Sequence, residues 1–407
     1  MSDTQQSYTW GKVLLASGVV IFGIGQSLLF IVVAPLTREI GLTGLQFGVI
    51  FSLANLSLIM AAPFWGKKSD VIGRKPVFVT GLIGSAIGIA ALALTLGYGM
   101  STTANIGVLI GLIFFSRFIY GLLASGIYPS ASGYIADVTA WADRAKGMAL
   151  IGSANALGSI LGPAIGGGLA FLGVLFPMYV AAGISLVAGI VAIIWLVEPE
   201  QHKIRQQNTD TSKPKLKWSD KRLVPYMIMW AALFIIFISL NFVTAFYIED
   251  SFNVTDTASI MRTASIMLAC MAVVITLVQG VLFQLIKVTP QTLLLLSSPL
   301  FGAGLFILAF APNLTVLGIG FAVLGGAFAC ATPGINGAAS QKMEPHEQGA
   351  AAGYLAAANT SGAILGPVAG NALYQLQPNA PMIAGGVVMI ALSIYAFTIP
   401  APEQANA

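Results

Sequence analysis

The chain has 407 residues, 57% of them hydrophobic and only 8% charged, with 45 glycines and a formal net charge of +4. A soluble domain carries about 25% charged residues, so this composition excludes a water-soluble globule and leaves a basic excess too small to point to a nucleic-acid partner. It fits a polytopic helical membrane protein, where glycine is frequent because it lets helices approach closely.

A spanning helix needs about 20 mostly apolar residues. Such runs lie near 11–35, 45–65, 76–98, 105–129, 145–171, 176–197, 223–248, 259–286, 290–311, 314–338, 349–374 and 380–400, which predicts twelve spans. Periodicity does not mark their ends, since helices apolar all round show none. Turn chemistry does, through Pro35, Gly66, Pro76, Pro199, Pro225, Pro290 and Pro378. The first run is too long for a signal-peptide core and is read as a retained helix. With the N-terminus in the cytoplasm, only Arg38 and Arg262 among the loop cations fall outside, which satisfies the positive-inside bias. Both termini are then cytoplasmic.

In chain order, the first span offers Gln26 and Ser27 as its polar positions, and the second is followed by GKKSDVIGRKPV (66–77). Asp70 in that loop is placed to cap the N-terminus of a facing helix, whose free N–H groups attract a carboxylate. The fourth span carries Arg117 with roughly a dozen uncharged residues on either side. An ionised group at mid-bilayer costs several kcal/mol and normally faces a partner or a path. The polar stretch 198–222 divides the chain into an N-terminal unit, 1–197, and a C-terminal unit, 223–407. It reads as a solvated cytoplasmic linker. Cys270 and Cys330 lie in apolar runs, so no disulfide framework is expected. His202 and His346 lie in polar loops, so no metal site is expected either, and no GxxxxGK[ST] loop for a nucleotide occurs.

The two units resemble each other. A shift of 204 residues superposes Asn155 on Asn359, Gly158 on Gly362, Gly162 on Gly366, Pro163 on Pro367 and Gly166 on Gly370. The same shift brings Gly121 onto Gly325, Pro129 onto Pro333 and Asp143 onto Glu347. An internal repeat of six spans keeps its orientation, so the copies should be related by an axis along the membrane normal. Such paired bundles suit alternating access, with Gly-Pro elements supplying close contact and bends.

These residues resemble the major facilitator superfamily over essentially the whole chain, and within it the twelve-helix proton-coupled drug and metabolite exporters. Gly66, Asp70, Gly73, Arg74 and Lys75 match the superfamily loop signature G-x-L-x-D-x-x-G-R-K, with Lys68 at the usual Leu. GSILGPAIGG (158–167) resembles the exporter signature of the fifth helix. Arg117 and Gly121 match R-x-x-Q-G in the fourth, but Tyr120 replaces the Gln. The resemblance implies an all-α membrane fold of two pseudo-symmetric six-helix bundles, a monomer in the bacterial inner membrane, and no enzymatic activity. It further implies a charge relay of Asp70, Arg74 and Asp137 that latches the halves on the inside. In the second unit Gln284 stands where Asp70 does, so the latch is expected on one side only.

By the same resemblance, spans 1, 4, 7 and 10 line the cavity. Their polar and aromatic residues include Gln26, Ser27, Arg117, Tyr120, Tyr128, Trp230, Asn241 and Asn336, supported by Asn55, Asn155, Gln279 and Asn359. No Asp or Glu occupies the middle third of any predicted span. A cavity whose fixed charge is cationic disfavours cations. The expected substrate is therefore a neutral or anionic amphiphile, such as a carboxylate siderophore, exported against protons. A broad multidrug pump that accepts cations, and a nutrient importer, are the alternatives. Asp137, Glu249 and Asp250 are the candidate proton carriers, and the substrate itself is another.

Overall fold

The computed structural model describes residues 3–101, 105–139, 144–199, 216–286, 288–344 and 347–399. Most of the linker (200–215), with His202, and also Asp143, Lys287 and His346 lie outside the described residues, as does the side chain of Gln284. Among the described residues there are helices and no strand. In chain order they are α1 (Asp3–Glu39), α2 (Gly44–Ile72), α3 (Arg74–Ser101), α4 (Ile106–Ala124), α5 (Ile127–Val138), α6 (Arg144–Leu169), α7 (Phe176–Trp195), α8 (Val224–Phe252), α9 (Thr257–Leu277), α10 (Phe283–Leu285), α11 (Pro290–Ala309), α12 (Leu314–Gln341), α13 (Gln348–Leu376) and α14 (Ala380–Thr398).

The ends follow local chemistry. Thr43 and Gln46 form a capping box at α2, with Gln46 N donating to Thr43 Oγ1 at 3.2 Å and Thr43 N to Gln46 Oε1 at 2.9 Å. Asn105 caps α4 and Asn313 caps α12. Pro225 and Pro290 open α8 and α11 as expected. Pro35 and Gly66, in contrast, do not end their helices. α1 runs on to Glu39 and α2 to Ile72, because the internal hydrogen-bond ladder needs no bilayer to persist beyond the membrane surface.

The fourth predicted span is broken at Ser125–Gly126 and then continues to Val138. Pro129 lacks the N–H that would bond Ser125 four residues earlier. Just before the break, the Leu122 carbonyl accepts from Trp65 Nε1 at 2.6 Å and from Ser125 Oγ at 3.0 Å. The eighth predicted span is likewise interrupted, by a π-helical turn at Val278–Leu282 between α9 and α10. Eleven of the described helical segments are long and apolar enough to cross a membrane, counting α4 and α5 as one. α13 is not among them, since Asn359, Thr360, Ser361 and Asn371 lower its hydropathy.

The chain forms two compact units, one of Met1–Asp210 with Asp256–Ser265, the other of Thr211–Thr255 with Ile266–Ala407. In the first, α6 packs on α1, and α3 on α4 and α7. In the second, α13 packs on α8, and α11 on α12 and α14. This is the same pairing scheme moved by six spans, so the internal repeat of the sequence is a repeat of packing. The first turns of α9 belong to the first unit, where the Thr257 hydroxyl donates to Glu39 at the end of α1.

Candidate functional site

Arg117 projects from α4 into the interior of its unit and is 2% exposed. Its Cζ lies 4.4 Å from the centroid of the Tyr120 ring and 4.9 Å from that of Phe51 on α2. Phe22 of α1 stacks on Tyr120 at 6.3 Å with the rings 7° from parallel, and Tyr128 meets Phe22 edge-on at 6.0 Å. Among the described residues no carboxylate pairs with Arg117, and its Nε and Nη1 have no hydrogen-bond partner. The cation is held by ring faces, each worth about 2 kcal/mol when desolvated. It is neither turned to lipid nor neutralised. It is also not standing in an open chamber, because the rings cover it.

The two sets of duplicated glycines sit at equivalent helix contacts. A Cβ on Gly158 would come within 2.3 Å of Val20 O and 2.8 Å of Gly23 Cα. One on Gly162 would come within 2.0 Å of Ser27 Oγ and 2.7 Å of Ile24 O. The backbones are close enough for Ser27 Oγ to donate to Gly158 O at 3.2 Å. Gly166 leaves ordinary contact with Ile31. In the other unit, a Cβ on Gly362 would meet Phe234 C at 2.6 Å, and one on Gly366 would meet Ile235 O at 3.0 Å. On Gly370 it would meet Ser239 Oγ at 2.4 Å. Pro163 and Pro367 lie inside α6 and α13, which run through them unbroken.

Near the junction of α2 and α3 the loop signature becomes a charge cluster. Arg74 Nε donates to Asp137 Oδ2 at 2.9 Å, and Nη1 contacts Asp70 Oδ1 at 2.6 Å and Ser69 Oγ at 2.7 Å. Asp137 is buried, its side chain 2% exposed, whereas that of Asp70 is 61% exposed. Gly133 provides the room, since a Cβ there would lie 2.5 Å from Arg74 Cζ. Gly73, at φ +105°, turns the chain between the helices. Gly66 makes only ordinary contact with Pro129.

The profile of the Major Facilitator Superfamily matches residues 15–298 and 285–407. The chain belongs to that superfamily. Multidrug resistance protein 2 of Bacillus subtilis (strain 168) is 26% identical to it over 385 residues, 93% of this chain and 92% of the relative. Multidrug resistance protein 1 of the same organism is 26% identical over 408 residues, 97% of each chain. The crystal structure of the nucleoside transporter NupG is similar in fold, with a TM-score of 0.72 at 16% identity over 97% of this chain and 98% of that one. As a superfamily member the protein is a multi-pass membrane transporter of small molecules and not an enzyme.

The other polar residues of this superfamily transporter are divided between the two units. Asn241 is buried but donates to Phe237 O on its own helix at 2.7 Å, and exposed Asn336 does the same to Thr332 O at 2.8 Å. Trp230 is buried against Phe234. Gln26, Asn155 and Asn359 are half-buried. Among the proton candidates, Asp250 accepts from Tyr374 Oη at 2.6 Å.

One participant escaped the sequence reading. Glu198, at the start of the linker, accepts from Arg74 N at 2.5 Å and Lys75 N at 2.7 Å, capping α3 beside the charge cluster. A Cβ on Gly73 would lie 2.8 Å from its carboxyl carbon. Its only signal in the sequence is an acid directly after an apolar run. Glu198→Ala is expected to cost about 1–2 kcal/mol through loss of the cap and its charge at the helix N-terminus. Thermal unfolding of the detergent-solubilised protein measures it, and an unchanged midpoint would leave the cap without weight. At the linker's other end Arg222 bridges Asp220 and Glu347, both at 2.8 Å. The Arg222 guanidinium holds the Asp220 carboxyl below its ordinary range.

Proposed function

We propose that this transporter exports a neutral or anionic amphiphilic molecule by alternating access in exchange for protons. The bundles 1–197 and 223–407 would rock about the linker in the bacterial inner membrane, with both termini cytoplasmic and the protein acting as a monomer. The observation that carries the substrate class is the buried guanidinium of Arg117, paired with no carboxylate among the described residues. A fixed positive charge in a low-dielectric interior repels cations over several ångströms and favours a carboxylate, as on a siderophore. Export over import is favoured by the duplicated Gly-Pro elements and by the names of the Bacillus relatives. The Asp70–Arg74–Asp137 cluster serves as the inner latch.

Energised everted vesicles test the reading. Accumulation of anionic amphiphiles should exceed that of matched cations and stop when a protonophore collapses the gradient. Arg117→Met should erase the preference while melting at or above the wild-type temperature, because it removes a buried charge that has no ion-pair partner. A strong preference for lipophilic cations that Arg117→Met leaves intact would favour a broad multidrug pump instead. Metabolite profiling of medium from deletion and overexpression strains would name the cargo.

A further inference from the structure

The position that departs from the R-x-x-Q-G signature carries the nearer of the two rings that Arg117 lies over. A glutamine there would accept a hydrogen bond from the guanidinium. A tyrosine offers a ring face 4.4 Å from Cζ and takes none of its N–H groups. The ring is firmly seated: Tyr120 is 0% exposed, and a Cβ on Gly88 of α3 would lie 2.5 Å from Tyr120 Cβ and 2.9 Å from its Cα. Phe22 stacks on the ring at 6.3 Å. Phe51 bounds the guanidinium at 4.9 Å. The cation is thus clamped between two ring faces while Nε and Nη1 stay without partners.

We infer that Tyr120 is the positioning residue that sets charge selectivity in this protein. Its ring stands in for a counter-ion, so Arg117 is kept in place with two N–H donors reserved for an anionic group of the substrate. This rests on the neutral-or-anionic reading above and assigns its selectivity to a named side chain. A glutamine at 120 would occupy a donor, and a leucine would leave the guanidinium free to turn onto helix carbonyls. A phenylalanine would keep the face. The phenol oxygen is not required for the effect.

The test uses the purified full-length protein in detergent with two probes of equal shape, 1-naphthoate and 1-naphthamide. Apparent affinities come from the concentration dependence of the melting temperature. The wild type should bind the carboxylate about tenfold more tightly than the amide, and Arg117→Met should bring the ratio to about one. Tyr120→Leu and Tyr120→Gln should each bring the ratio to about one, since one ring face on a desolvated cation corresponds to about thirtyfold, more than the whole preference. Tyr120→Phe should return it to within about twofold of the wild type, which a packing defect alone would not do for one probe and not the other. Phe22→Leu, which removes the ring stacked on Tyr120, should move the ratio less than Tyr120→Leu does and reports on the clamp should a Tyr120 variant fail to fold. If Arg117→Met keeps the wild-type ratio, or the wild type shows none, the charge reading and this inference both fall. If Arg117→Met abolishes the ratio while Tyr120→Leu and Tyr120→Gln retain it, the charge reading stands and the role of Tyr120 is overturned. Should both Tyr120 variants be unfolded, a Phe22→Leu ratio equal to that of the wild type overturns it as well.

Discussion

Gly158→Ala should disable the transporter through a single methyl group. The new Cβ would sit 2.3 Å from Val20 O, 2.8 Å from Gly23 Cα and 3.0 Å from Gly23 C. All three are backbone atoms, so no side chain can rotate away, and α1 and α6 must separate. Overpacking of this kind costs about 3 kcal/mol, and separation also breaks the Ser27–Gly158 hydrogen bond. The expected result is a clearly lower melting temperature and loss of transport. Gly362→Ala should do the same to α8 and α13, where the obstacles are Phe234 C at 2.6 Å and Phe234 O at 2.7 Å. Gly168 lies on the same helix as Gly158, yet a Cβ there meets nothing within 4 Å. Gly168→Ala should therefore be neutral or stabilising by up to about 1 kcal/mol from helix propensity. Equal melting of Gly158→Ala and Gly168→Ala would refute the close-packed seam.

Removing Arg74 is expected to have an effect of similar size for a different reason. Arg74→Met takes one ion-pair partner, at 2.9 Å, from Asp137, whose carboxylate stays buried. Breaking a buried pair from one side costs about 3–5 kcal/mol, whereas replacing both partners with apolar groups is often close to neutral. The double variant Arg74→Met/Asp137→Leu should therefore regain most of the stability lost by Arg74→Met. It should not regain transport if the cluster works as a latch. Asp70→Asn offers the complementary comparison, because its exposed pair contributes within about 1 kcal/mol. Near-normal melting with impaired transport marks a gating role. Full transport by the double variant would reduce the cluster to a structural one.

The positions of the spans were readable from composition alone. The predicted run 290–311 is α11, 380–400 is α14, and the others fall within a few residues apart from the overshoots of α1, of α2 and of the fourth run, which continues as α5 to Val138. A bilayer allows so few solutions for the backbone that hydropathy and prolines almost suffice. The internal repeat was readable too, because glycines such as Gly158 and Gly362, whose Cβ would strike a facing backbone, leave no room for a larger residue. The break at Ser125–Gly126 was implicit in Pro129, but its consequence depends on Trp65 reaching Leu122 O from another helix.

Arg117 could be recognised as a buried cation from its neighbours along the chain, since the cost of desolvating a charge does not depend on which helix packs beside it. What surrounds it could not be recognised in that way. Phe22, Phe51 and Tyr120 lie on three different helices, and only their packing turns a substitution in a signature into a clamp. Glu198 likewise caps a helix whose first residue is 124 positions earlier. Hydropathy and backbone strain act residue by residue and are written locally. Ring stacking, capping across the unit and the pairing of Arg74 with Asp137 join groups far apart in the chain, so they take effect only when folding brings those groups within a few ångströms.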